Sequence, residues 1–149
     1  MVLPRVYLGI IFLVSAYFKI AAPAGFPKVL AGFLNNVALA QGYPWYRDVV
    51  RVFVLPHVAF FAVLVTAGEV FVGIAMLLGI ATRLGSVVAI VLLLNYLCAK
   101  GLPIWSPASN DTADIVMALT VGIGSAGRTY GFDRIIARRL PRGAARFIS

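Results

Sequence analysis

The sequence predicts an all-α integral membrane protein: a four-helix bundle with an additional amphipathic interfacial helix between spans 1 and 2. Three observations predict it. Of 149 residues, 62% are hydrophobic and only 12% are charged, where soluble domains run at about 45–50% and about 25%. The apolar residues gather into runs of membrane-spanning length. One segment between the first two runs instead shows helical amphipathicity with a polar face.

The first span covers about 5–22, apolar except for Ser15, two tyrosines and Lys19, close to the roughly 20 residues needed to cross hydrocarbon. A cleaved signal peptide is the competing reading, because Ala21, Ala22 and Ala24 resemble a small-residue cleavage region. Against it, Arg5 is the only early cation, and Lys19 intrudes where a neutral segment is expected. The segment at about 26–41 repeats Phe26, Val29, Leu30, Phe33, Leu34 and Val37 at helical spacing, while Lys28, Asn35, Asn36 and Gln41 face elsewhere. Such a helix lies in the interface and ends at Gly42, and Tyr43-Pro44-Trp45-Tyr46 supplies rings suited to headgroup level. Its simplest role is to cap the mouth of the bundle.

The second span is expected at about 53–81, carrying Glu69 near its middle, with Thr82-Arg83 as a tight polar connection. The third follows at 84–99. A loop rich in turn formers, 100–111, leads to a fourth span at about 112–126, with Asn110 or Asp111 as N-cap. The whole chain reads as one transmembrane domain with a basic tail over 128–149.

Thirteen Lys and Arg oppose five acids, for a formal charge of +8, and six of the cations lie at or beyond Arg128. A basic terminus beside a hydrophobic segment fits anionic lipid, so Arg134, Arg138, Arg139 and Arg142 are expected lipid contacts and nucleic acid is not an expected partner. Counting cations on alternating sides gives eight against five, which puts both termini in the cytoplasm. Cys98 and His57 are the only residues of their kinds. The chain therefore offers no disulfide, no bis-His haem and no ready metal site, and any redox cofactor, such as a diffusible quinone, must come from outside. Cys98 and His57 themselves read as a packing residue and a helix-end hydrogen-bonding group.

An ionised side chain at mid-membrane costs roughly 2.5–3.5 kcal/mol on insertion scales, so Glu69 must turn into the bundle. Ala62, Thr66 and Gly73 share its face, a stripe of small side chains that lets another helix approach closely. Lys19 can snorkel outward or reach inward toward Asp114 or Glu69. Two readings of the polar residues stay open. Lys19, Asn95, Asp111 and Asp114 form a structural plug joining helix ends; or Lys19 and Glu69 are catalytic, and Ser15, Tyr17, Asn95 and Asp114 help bind a quinone headgroup or small anion.

The ordered features resemble the DoxX/DoxD family of small four-span membrane proteins. The resemblance rests on Arg5, Leu8-Gly9 and Lys19; on Gly68-Glu69-Val70-Phe71-Val72-Gly73 and Leu77 through Arg83; on Asn95-Tyr96; and on Ala126 through Asp133. It marks Lys19, Glu69, Arg83, Arg128 and Asp133 as recurrent family positions. Ala16-Tyr17 departs from the family's small residue, and the ring of Tyr17 is expected to narrow a shared cavity. The resemblance implies the membrane subunit of a larger assembly, similar to that of a thiosulfate:quinone oxidoreductase, in the cytoplasmic (inner) membrane of a bacterium or archaeon. Quinone-coupled oxidation of a small sulfur or inorganic substrate is the first functional expectation. A non-catalytic accessory or scaffold subunit packed against a respiratory or photosynthetic complex is the second. A transporter or channel is less well supported, because one central acid makes a sparse polar pathway.

Overall fold

The computed structural model describes residues 2–22 and 24–124. The arginines Arg134, Arg138, Arg139 and Arg142, with Arg128 and Asp133, lie outside the described residues. Among those described, three helices are long and apolar enough to cross a membrane: α1 (Val2–Ile20), α3 (Pro44–Leu78) and α4 (Thr82–Lys100). A shorter helix, α5 (Asp111–Ile123), completes the bundle. The helix α2 lies outside it, running over 26–41 as Phe26–Phe33, a π-helical turn Leu34–Ala38 and a final turn Leu39–Gln41. The chain is a multi-pass all-α membrane protein.

Glycines set the closest contacts. A Cβ at Gly9 would stand 2.7 Å from Leu77, and one at Gly73 would stand 2.5 Å from Leu13, so α1 and α3 meet through small residues, as membrane helices do in the absence of a hydrophobic drive. Leu8, Phe12, Val72, Met76, Ala118 and Val121 fill the bundle interior. Buried Arg5, Thr82 and Ser86 lie at one end of this core, and Glu69 and Asp114 toward the other.

Three local expectations need correction. The second span does not begin near Val52: α3 starts at Pro44 and runs 35 residues. Pro56 and His57, which read in the sequence as an early interruption of this run, lie inside the helix, because a π-helical turn (Val50–Val54) and a 3-10 turn (Leu55–His57) absorb the missing N–H before the regular helix Val58–Leu78 begins. The exposed His57 ring pairs with the Phe53 carbonyl at 3.1 Å in this bend. Second, Thr82-Arg83 is not the connection between α3 and α4. The turn is Gly79-Ile80-Ala81, with Gly79 and Ala81 both left-handed (φ 65° and 53°), while Thr82 is already the buried start of α4. Third, Asn110 precedes α5 in helical conformation without a side-chain cap; Ser109 Oγ instead accepts the Asp111 N–H at 3.3 Å.

The polar face of α2 is as expected, with Lys28, Asn35, Asn36 and Gln41 exposed. Its other face buries Leu34 and Ala38 against Tyr46, Val50 and Ala99. The helix ends at Gly42, where the Tyr43 N–H donates to the Cys98 carbonyl at 3.3 Å. Gly101 (φ 64°) passes so close to the Gln41 carbonyl that a side chain there has no room. The end of α2 is thereby fixed to the end of α4.

Candidate functional site

The site begins with one turn of α1. Ser15 and Lys19 are four residues apart and so share a helical face, which α1 turns toward the middle of the regular part of α3, Val58–Leu78. Glu69 projects from α3 with 1% of its surface exposed. Its carboxylate receives four donations: Lys19 Nζ lies 2.6 Å from both oxygens, Ser15 Oγ 2.9 Å from Oε1 and Tyr96 Oη 2.7 Å from Oε1. Lys19 also donates to Ser15 Oγ at 2.7 Å, and its ammonium stands 5.5 and 5.7 Å from the ring centres of Phe26 and Tyr96. The inward turn of Glu69 follows from the cost of a bare carboxylate in hydrocarbon, which is met here by a cation and two hydroxyls.

Beside this network lies a cavity of about 480 Å³ between α1, α2, α3 and α4. Ser15, Lys19 and Tyr96 line it where it meets the Glu69 network, with Asn95, Tyr46 and Lys100 as its other polar residues. Leu30, Phe33 and Leu34 of α2 close it with apolar surface. Tyr46 Oη donates to Asn95 Oδ1 at 2.7 Å, which leaves the Asn95 amide nitrogen as the group available to a carbonyl in the cavity. An apolar chamber with a few convergent donors is the usual form of a small-molecule site.

The chain matches the DoxX family model over residues 1–99. It belongs to the DoxX family. The match covers α1 to α4 up to Ala99, and so every residue bonded to Glu69; no curated protein and no solved structure matches this DoxX chain.

The sequence-derived candidates fall into three groups within this DoxX fold. Lys19, Glu69 and Ser15 come together in one network, and Asn95 lines the adjoining cavity. Asp114 is buried, but it borders a separate smaller cleft and not the cavity. Tyr17 is a correction: 66% exposed and edge-on to Phe18, it points out of the bundle, and Ala16 (1% exposed) is the residue that faces in. The ring therefore narrows nothing. Nor do Lys19, Asn95, Asp111 and Asp114 join as one plug: Lys19 pairs with Glu69, Asn95 with Tyr46, and Asp111 with Lys100 at 2.7 Å.

Tyr96 and Tyr46 were not among the sequence-derived site residues. A signal existed for Tyr96, since a tyrosine within an apolar span needs a partner for its hydroxyl and stands next to Asn95. For Tyr46 the sequence favoured the headgroup layer, because the continuity of α3 through Pro56 is not legible in it. Among the described residues no group of His, Cys, Asp and Glu is arranged to hold a metal ion.

Proposed function

We propose that this protein binds a quinone headgroup in the α2-covered cavity, as the membrane subunit of an assembly that oxidises a small sulfur or inorganic compound. The observation that carries this reading is the joining of an apolar cavity of about 480 Å³ to a Lys19–Glu69–Tyr96 network at one of its walls. A quinone needs an apolar slot for its ring and tail and hydrogen-bond donors for its carbonyls. The Asn95 amide nitrogen faces the cavity, and Lys19 at its wall, whose three hydrogens go to Glu69 and Ser15, would turn one of them to the second carbonyl.

Reduction takes up two electrons from the reduced sulfur or inorganic donor and two protons, giving the hydroquinone. In this reading Lys19 contacts the carbonyl oxygen that gains negative charge, and Glu69 passes protons to it. In this reading electron delivery falls to a partner subunit, because one Cys and one His in the sequence are too few for a bis-His haem or an iron–sulfur cluster held by one chain. The eight-to-five division of cations supports a cytoplasmic membrane location with both termini inside.

The test is a titration of the full chain in lipid nanodiscs with a short-chain benzoquinone, followed by extraction and quantification of bound quinone. Saturable one-to-one binding is expected, weakened at least tenfold by Lys19→Met and by Asn95→Leu. Absence of saturable binding overturns the reading. A stoichiometric complex purified by gentle extraction, with no retained quinone, would favour the accessory-subunit alternative.

A further inference from the structure

Glu69 borders a second space. A cleft of about 240 Å³ between α1, α3, α4 and α5 is lined by Glu69, Ser15, Tyr96, Asp111 and Asp114 among others. Its two aspartates differ sharply. Asp111 is satisfied, accepting from Lys100 Nζ at 2.7 Å and from Ser109 Oγ at 2.6 Å. Asp114 is 7% exposed, and its Oδ1 has no hydrogen-bond partner among the described residues. A buried carboxyl oxygen left without a partner is costly and needs a reason.

We propose that Asp114 relays protons between Glu69 and the aqueous phase at the Lys100 end of the bundle. The proposal rests on the quinone reading for its use in turnover, since hydroquinone formation would draw protons from Glu69. In the step itself the Asp114 carboxyl O–H gives its proton toward the Glu69 carboxylate, and Asp114 is reprotonated from water at the cleft mouth, beside Asp111 and Lys100. No electrons move. The Ser15 and Tyr96 hydroxyls line the same cleft and both donate to Glu69 Oε1, and a hydroxyl passes a proton by accepting one as it gives up another.

Among the described residues, the titratable groups facing Glu69 are Lys19 on α1, Tyr96 on α4, and Asp111 and Asp114 on α5; its own helix Val58–Leu78 brings no other titratable side chain. Toward the opposite end of the bundle the described interior next to Glu69 is the apolar layer of Leu8, Phe12, Val72, Met76 and Val121, with buried Arg5, Thr82 and Ser86 beyond it.

The experiment uses the full chain in nanodiscs without quinone, so that failure of quinone binding and failure of the relay are read separately. A rapid pH step is followed by time-resolved infrared spectroscopy of the carboxyl bands, with the Glu69 band assigned by its loss in Glu69→Gln. Asp114→Asn is expected to slow the Glu69 response at least tenfold at unchanged melting temperature, and Asp114→Glu to restore it. Isotope labelling of aspartate in the unsubstituted protein gives a second reading, in which the Asp114 band must respond no later than that of Glu69. An unslowed response in Asp114→Asn, a silent Glu69 band, or an Asp114 band that lags Glu69 overturns the proposal.

Discussion

Lys19 Nζ stands 2.6 Å from both carboxylate oxygens of Glu69, joining α1 to the middle of α3 in a bundle where the carboxylate is 1% exposed. Removing Lys19 leaves the buried carboxylate with only the Ser15 and Tyr96 hydroxyls; breaking a fully buried pair costs about 3–5 kcal/mol, and the loss here should fall below that because the Lys19 side chain is 18% exposed. Lys19→Met and Glu69→Gln should each lower the melting temperature in detergent markedly. The double variant should recover much of that loss, which gives a favourable coupling energy in a double-mutant cycle. Additive losses would show that the pair does not act as a unit.

Tyr96→Phe removes one donor from Glu69 Oε1 without changing the shape of the ring. A lost hydrogen bond to a charged acceptor costs about 1.5–3 kcal/mol, and the expected fall in stability is at the lower end because Lys19 and Ser15 still hold the carboxylate. Thermal unfolding monitored by circular dichroism measures it.

Gly73→Val should be destabilising by about 1–3 kcal/mol, the usual range for an overpacked interior, because its first side-chain carbon already meets Leu13 at 2.5 Å. Pairing it with Leu13→Ala should relieve part of the cost. Melting temperatures of the single and double variants decide the point.

Ala81→Gly should stabilise by up to about 1 kcal/mol, since alanine at φ 53° bears a steric penalty that glycine does not. The gain should appear as a higher melting temperature with no change in quinone binding.

Leu30→Trp fills the cavity from the α2 side and should reduce quinone retention at least tenfold. Tyr17→Ala, on a side chain directed away from the bundle, should leave retention unchanged. Equal behaviour of the two variants would remove the cavity from consideration as the binding place.

The helical class, the amphipathic helix between the first two spans and the inward turn of Glu69 were legible because each follows from a local rule: apolar run length, a periodic face, and the cost of a bare charge in hydrocarbon. The partner of Glu69 was only narrowed, since Lys19 is long enough to take several acids and the choice depends on how α1 is rotated against α3. That rotation is set by Gly9 and Gly73 together, a pairing between helices that no single stretch of sequence displays. The bend at 50–57 was hidden for a different reason. Proline reads as a break, and the compensation by π and 3-10 turns comes from packing of Tyr46 and Val50 against α2 and α4. Tyr17 was misplaced by one position, which on a helix moves a side chain by about 100° and from the core to lipid.

The surplus length of α3 bears on how the protein fits its host bilayer. At about 1.5 Å per residue, 35 residues reach roughly 50 Å, whereas hydrocarbon is about 30 Å deep and α1 and α4, with 19 residues each, match it closely. The turns before Pro56 hold the excess, and because Tyr46 and Val50 tie them to α2 and α4, they would slope along the headgroups together with α2 as local thickness varies. Mismatch is then taken up by that outer layer and not by the Val58–Leu78 helix, so the buried carboxylate should keep its depth from one lipid composition to the next.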